Sequence, residues 1–468
     1  MPAPDAVLRA IDSGFERTLD ELIELSRIPG VSAAGFDARQ VERSAEAVAS
    51  LLAEAGLQDV EILRIPGAHP YVVAEWNGAG EAAPRVLLYA HHDVQPPGRI
   101  DRWDSPPFEP TLRGDGRLYG RGVVDDKAGA LVHLAALRAW LEVEGTLPVN
   151  VKVLVEGEEE TGSGHLAEFL GQYRERLDAD VIVLSDTANL ATGLPSLTTS
   201  LRGLVIAEVH VRALDHPLHS GMWGGVVPDA ATALASILGR LTDDQGNPAI
   251  PGLADDVPPL DDAERLRLAS LPFDEAEFRR DAGLLDGVRV AGVSDRSVYE
   301  RLWVRPSIAV TALEAAPLAE AANQLISESA AKVGVRLAPG QDAERVRDLL
   351  VAWLEKDPPS GVEVDVRCEA ASPGWQTEPV GPAFDAARRA LAAGFGRAPV
   401  FIGCGGTIPF VGPFAEQLGD VPALLLGLED PVCNAHGENE SLDLDDFRKS
   451  IYSLAHLFSE LSEVRFQP

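Results

Sequence analysis

The sequence predicts an α/β protein, in which a domain built on a mixed, largely parallel sheet flanked by helices is interrupted by an inserted α+β domain. Three observations predict it. Short β-branched runs alternate with helical patterns in the first part of the chain; the texture changes near Leu201; and an Ala-rich helical pattern returns after the Pro/Gly-rich stretch Ser372–Pro382. On this reading residues 1–197 and 375–468 form one domain and residues 198–374 the insertion, a lid or dimerisation module.

The elements follow in order. Val7, Leu8, Ile11, Phe15, Leu19, Leu22 and Ile23 recur near the helical period, and a second helix covers Val41 to Ala55 before Gly56. Strands are expected at Val60–Leu63, Tyr71–Trp76 and Val86–Tyr89, separated by Gly- and Pro-containing breaks. Gly129 to Leu141, rich in Ala and Leu, reads as a buried helix, and Val149–Val155 as the next strand. In the insertion, Leu204–Val211 reads as a strand and Asp229 to Leu241 as a helix, followed by an acidic, loop-rich stretch to about Ser294. Val333–Leu337, Asp342–Leu354 and Val362–Cys368 then read as strand, helix and strand.

The chain of 468 residues carries 73 acidic and 40 basic side chains, a net charge of −33, so its average surface repels phosphate backbones and anionic headgroups. That excludes nucleic acid and membrane surfaces as expected partners. The start of the chain lacks the basic-then-apolar pattern of a secretory signal, and no apolar run is long enough for a membrane span. Cys368, Cys404 and Cys433 are far apart and odd in number, which argues against a disulfide framework or a thiolate metal site and favours a reducing cytoplasm.

Chemistry-bearing residues recur after apolar strands. Val86–Tyr89 runs into Ala90-His91-His92-Asp93, where the two-residue strand period puts His91 and Asp93 on one side and His92 on the other. His91 can bind a metal while Asp93 orients its ring. In Gly120-Arg121-Gly122-Val123-Val124-Asp125-Asp126-Lys127, two acids precede the Ala-rich helix, where a carboxylate serves equally as an N-cap. Glu156-Gly157-Glu158-Glu159-Glu160 follows Val149–Val155 and can supply both a metal ligand and a proton acceptor. Asp186 follows Val181–Leu184, and His436 follows Ala423–Leu426 and a short loop. Open α/β sheets place their ligand crevices at such carboxyl ends. Imidazole and carboxylate without thiolate suits zinc, manganese or cobalt, and the number of donors suffices for two ions sharing one carboxylate.

The segments HHDVQP, WDSPPFEP, LYGRGVVDDKAG, EGEEETGSG, LSD, LHSG, GGTIP and HGENE occur in this order. Together they resemble the dinuclear metallopeptidases that include carnosinase, cytosolic nonspecific dipeptidase, aminoacylase and glutamate carboxypeptidase, and most of all the dipeptidase branch. The resemblance runs from about residue 10 to about residue 460.

It implies a homodimeric enzyme with two divalent metal ions per subunit, zinc or manganese, with cobalt an alternative. His91, Asp125 and Asp186 would hold one ion and Asp125, Glu160 and His436 the other, with Asp125 bridging. Glu159 would be the general base, Asp93 would support His91, and the Asp125–Asp126 peptide would be cis. His219 of Leu218-His219-Ser220-Gly221 would reach the other subunit's active site and polarise the scissile carbonyl. Arg336 would bind the substrate carboxylate, with Gly405, Gly406 and Thr407 adding polar contacts. His92, Glu156 and Glu158 are left without a catalytic role.

The expected reaction is hydrolysis of the amide bond of a dipeptide or similar small substrate with a free carboxylate. N-acyl-amino-acid amidohydrolase or carboxypeptidase activity is the enzymatic rival, and a non-catalytic binding or scaffold relative the rival of another class. Two departures from the family pattern bear on specificity: Gly403-Cys404 stands where relatives often carry an arginine-acid pair, and Leu325-Ile326-Ser327 where Ile-Pro is usual after Asn323.

Overall fold

The structure, a computed structural model, describes residues 2–466 apart from 293–295, 407–413, 415–416 and 420. The chain forms two compact units: residues 1–199, 378–402 and 408–468, and residues 200–377 with 403–407. The second unit thus takes up the 403–407 segment, which the sequence reading assigned to the outer domain.

The first unit begins with α1 (Asp5–Ser26), whose Val7, Ile11, Phe15, Leu19 and Leu22 are buried as the helical period requires. Asp37 caps α2 (Ala38–Glu54) by accepting from the Arg39 N–H. Strands β1 (Gln58–Leu63), β2 (Tyr71–Trp76) and β3 (Arg85–His91) precede α3 (Lys127–Glu144), in which every residue from Lys127 to Trp140 is buried. This helix packs against α1 and β3, which its small, Ala-rich side chains let it approach closely. Then come β4 (Asn150–Glu156), β5 (Val181–Ala188) and β6 (Ser196–Leu201).

The second unit contains β7 (Gly203–Arg212), α4 (Ala230–Leu238), β8 (Ser307–Glu314), β9 (Glu328–Leu337), α5 (Ala343–Glu355) and β10 (Glu363–Ser372). Its sheet runs β8-β9-β7-β10, antiparallel throughout. Val205, Ala207, Val209 and Val211 of β7 and Ala331, Val333, Val335 and Leu337 of β9 alternate onto one face, which packs with Leu234 and Ile237 of α4 and Val346 and Leu350 of α5. Within the acidic stretch read as loop, two short helices form, Asp262–Ser270 and Glu275–Asp281, capped by Asp261 and Asp274.

The chain returns to the first unit with α6 (Pro382–Phe395), β11 (Ala423–Glu429) and α7 (Leu444–Ser462). In that unit the strand order is β1-β2-β4-β3-β5-β11-β6, with the inner strands β4, β3, β5 and β11 mutually parallel and the flanking pairs antiparallel. The carboxyl ends of those parallel strands therefore open on one edge, and His91, Glu156, Asp186 and Glu429 all lie at or near them.

Candidate active site

His91 ends β3, fully buried. Its Nδ1 faces Asp93, 3.1 Å from the Asp93 carbonyl and 3.4 Å from its Oδ1, which leaves Nε2 aimed at Asp125 Oδ1 (3.1 Å) and Asp186 Oδ2 (3.7 Å). His92 points the other way, its Nε2 3.1 Å from the Pro70 carbonyl. The alternation of the strand thus separates an imidazole that faces carboxylates from one that faces a backbone carbonyl.

Asp125 is reached through a turn in which Gly122 has φ +77°, and a Cβ there would meet Val94 Cγ1 at 2.5 Å, so glycine is required. The Asp125–Asp126 peptide is cis. The two Asp125 oxygens divide the site: Oδ1 faces His91 Nε2, and Oδ2 lies 2.9 Å from His436 Nε2. Asp126 occupies the N-cap position of α3 but makes no capping bond; its Oδ2 accepts from the His91 N–H at 3.1 Å.

Glu159 and Glu160 sit on a 3-10 turn after β4. Asp93 holds both, its Oδ1 accepting from Glu159 N at 3.2 Å and its Oδ2 from Glu160 N at 3.1 Å and Ser32 Oγ at 2.6 Å. Glu160 Oε2 is 3.2 Å from His436 Nε2 and accepts from Gln95 Nε2 at 2.8 Å, and Glu159 Oε2 is 4.0 Å from His91 Nε2. His91, Asp93, Asp125, Glu159, Glu160, Asp186 and His436 are therefore brought together in the first unit.

His219, Arg336 and Gly406 belong to the second unit. His219 is exposed, and its Nδ1 accepts from the Gly221 N–H at 3.1 Å, so in the neutral ring the proton sits on Nε2. Arg336 lies on β9 opposite Ser307 and Leu204, on the face away from buried Val335. The Gly406 N–H donates to Cys404 Sγ at 3.3 Å. Thr407 lies outside the described residues.

The electrostatics follow from burial. Burial alone would lower the His91 imidazole, but the charge of Asp186 and the hydrogen bonds of Asp125 and Asp93 outweigh it and hold it well above its ordinary value. Hydrogen bonds that His436 donates to the Asp125 and Glu160 carboxylates push it up to about 11. Burial raises Glu159, Glu160 and Asp186, reinforced by neighbouring carboxylates, whereas in Asp125 the two imidazoles overcome burial and lower the carboxyl.

The donor set fits divalent cations. His91, Asp125 and Glu160 offer ligand atoms that all lie within 4.8 Å of one another, as do His91, Asp126 and Asp186. Crowded buried carboxylates repel one another, and cations between them relieve that repulsion. The donors these groups offer are carboxylate oxygen and imidazole, without thiolate.

Four contributors were not singled out by sequence reasoning. Glu429 ends β11 beside Asp125 and Asp186. Gln95 orients Glu160. Buried Arg121 donates to Glu440 Oε2 and to the carbonyls of Pro96, His436 and Gly437, while Glu440 Oε1 accepts from Val124 N at 3.2 Å and Asp125 N at 3.4 Å. The Gln95, Arg121 and Glu440 positions fall within the quoted motifs; Glu429 falls within none of them.

A cluster of imidazole and carboxylate donors at the carboxyl edge of an α/β sheet is an arrangement that suits a metal-dependent hydrolase. Residues 87–460 match Peptidase family M20/M25/M40, and the chain belongs to that family. It is 33% identical over 430 residues to the cysteinylglycine-S-conjugate dipeptidase of Corynebacterium striatum, covering 92% of each chain. Among solved structures it resembles the dipeptidase Dug1p of Saccharomyces cerevisiae, with TM-score 0.85, 27% identity and 98% of each chain covered. It also resembles human carnosine dipeptidase 1, with TM-score 0.88, 26% identity, and coverage of 99% of this chain and 100% of that one.

Proposed function

We propose that this chain is a dipeptidase that uses two divalent metal ions, zinc or manganese with cobalt an alternative, to hydrolyse the amide bond of a dipeptide or similar small substrate bearing a free carboxylate. The observation that carries the reading is Asp125, whose two oxygens face His91 and His436 from opposite sides at 3.1 and 2.9 Å. His91, Asp125 and Asp186 would hold one ion, and Asp125, Glu160 and His436 the other. Bound there, the ions supply a polarised carbonyl and a more acidic water.

Glu159 takes the proton of the attacking water and passes it to the leaving amine. Its carboxylate lies beside the cluster, Oε2 4.0 Å from His91 Nε2, within reach of a water held there. Because Asp93 receives the N–H groups of both Glu159 and Glu160, base and ligand are held by the same carboxylate. His219 presents Nε2–H as a donor for the developing oxyanion, in this proposal to the partner subunit of a homodimer. Arg336, with Gly406 and Thr407, takes the substrate carboxylate, the pairing that a planar guanidinium favours.

The activities named for the relatives, on cysteinylglycine conjugates and on β-Ala-His, support a dipeptide as substrate class. A cytoplasmic location agrees with the cysteine usage, and among the described residues no helix is long and apolar enough to cross a membrane. The test is a panel of dipeptides, including cysteinylglycine and β-Ala-His, against N-acyl amino acids, with and without chelator. Chelator-sensitive cleavage of dipeptides is expected. Cleavage confined to N-acyl amino acids would move the protein to the amidohydrolases, and turnover unaffected by metal removal would overturn the reading.

A further inference from the structure

Glu429 is the acid at the site that no family motif accounts for. It ends β11, which lies parallel to β5 with Glu429 opposite Ala188, and its carbonyl accepts from Asn189 N at 2.7 Å. The same pairing brings its side chain to the strand that carries Asp186. Ligand oxygens of Asp125, Asp186 and Glu429 all lie within 4.8 Å of one another. Oxygens bound to one cation at about 2.0–2.4 Å stand no more than about 4.8 Å apart, so the three can share an ion.

The neighbouring acids are otherwise engaged. Asp430 receives a two-pronged hydrogen bond from Arg117, at 2.7 and 2.9 Å; Glu440 pairs with Arg121; Glu156 accepts from Tyr89 and Glu158 from Tyr71. No lysine or arginine pairs with Glu429 among the described residues. A carboxylate enclosed among other carboxylates, with no lysine or arginine paired to it, gains from a counter-charge held among them.

We infer that Glu429 is a sixth protein ligand of the metal pair, entering on the Asp125–Asp186 side. The inference rests on the metal reading above and deepens it: four carboxylates to two imidazoles shift the donor set toward oxygen, which favours manganese over zinc.

The full-length protein, stripped with chelator and titrated separately with Mn²⁺ and Zn²⁺ by calorimetry, tests this without recourse to turnover. The wild type is expected to bind two equivalents. In Glu429→Gln, with the metal-free circular dichroism unchanged, one equivalent of Mn²⁺ should weaken at least tenfold and Zn²⁺ by less. Two equivalents of Mn²⁺ bound within twofold of wild type would overturn the role of Glu429 and leave the metal centre intact. Fewer than two equivalents in the wild type would overturn both. Should Glu429→Gln fail to fold, Glu429→Asp decides: it keeps the charge but withdraws the oxygens by one methylene, so weakened Mn²⁺ binding supports the ligand and unchanged binding refutes it.

Discussion

Replacing Arg121 with Met should both destabilise the fold and loosen the His436 side of the site. Arg121 is 1% exposed and its partner Glu440 is fully buried. The guanidinium donates to the Glu440 carboxylate and, through one nitrogen, to the carbonyls of Pro96, His436 and Gly437 at 3.0–3.2 Å. His436 itself sits at φ +62°, which a non-glycine residue adopts only when its surroundings hold it. Removing one member of a buried pair typically costs about 3–5 kcal/mol, because the other is left uncompensated. Burial already pushes Glu440 up to about 7 with Arg121 opposing it, so loss of Arg121 lets the carboxyl protonate and places the cost near the lower end, about 3 kcal/mol. The double variant Arg121→Met/Glu440→Gln should then lose less than the sum of the single variants, by about 1 kcal/mol or more. Urea unfolding of the metal-free proteins followed by circular dichroism, paired with metal titration, reads both effects. Single variants within about 1 kcal/mol of wild type, or additivity within about 0.5 kcal/mol, would refute the clamp.

Three further outcomes are expected. Asp125→Asn should lose metal as well as activity, since a neutral amide cannot replace an anion shared by two cations; two equivalents at unchanged affinity by elemental analysis would place the bridge elsewhere. His133, buried on α3 with Nε2 3.1 Å from Ser185 Oγ, is lowered by burial to about 3, below its unfolded value near 6.5. The unfolded chain therefore binds the extra proton, and the stability held above about pH 6.5 falls by up to about 1.4 kcal/mol per unit as pH drops toward 3. His133→Gln should remove that slope, and an unchanged difference between unfolding at pH 6.5 and 5.5 would contradict it. Mixing inactive His219→Ala with inactive Glu159→Gln under subunit exchange should restore activity to up to about half of the mixed dimer's sites. Confirmed exchange without recovery, or a monomer at assay concentration, would reject action across a homodimer.

The residues at the carboxyl ends of strands were legible because chemistry and secondary structure coincide there: apolar runs mark the strands, and the charged or imidazole residue after each run marks the edge. His91, Asp93, Glu159, Glu160 and Asp186 follow that rule, whereas Asp125 comes from the turn before α3 and His436 from the loop after β11; all of them meet in one unit. Glu429 obeys it too, yet it stands before Asp430 in a polar loop, and only the parallel register with β5 distinguishes it from a solvated acid. Strand β8 left no pattern because most of its side chains are exposed, so nothing selects an apolar alternation. The helices Asp262–Ser270 and Glu275–Asp281 bury at most Leu268, and their cap residues Asp261 and Asp274 were lost among many acids. Glu158 is explained by hydrogen bonding alone: its carboxylate accepts from Tyr71 OH at 2.9 Å and from the His69 and His165 N–H groups at 3.3 and 2.9 Å, anchoring the loop that carries Glu159.

The central claim, that a metal centre on this sheet edge cleaves an amide with Glu159 as base, is tested most directly by Glu159→Gln assayed for metal content and dipeptide turnover on the same preparation. The account predicts two equivalents of metal, an unchanged fold and kcat reduced by about 10²–10⁴, since the amide cannot accept the proton of water. A fully metallated variant that keeps more than about a tenth of wild-type kcat would contradict it.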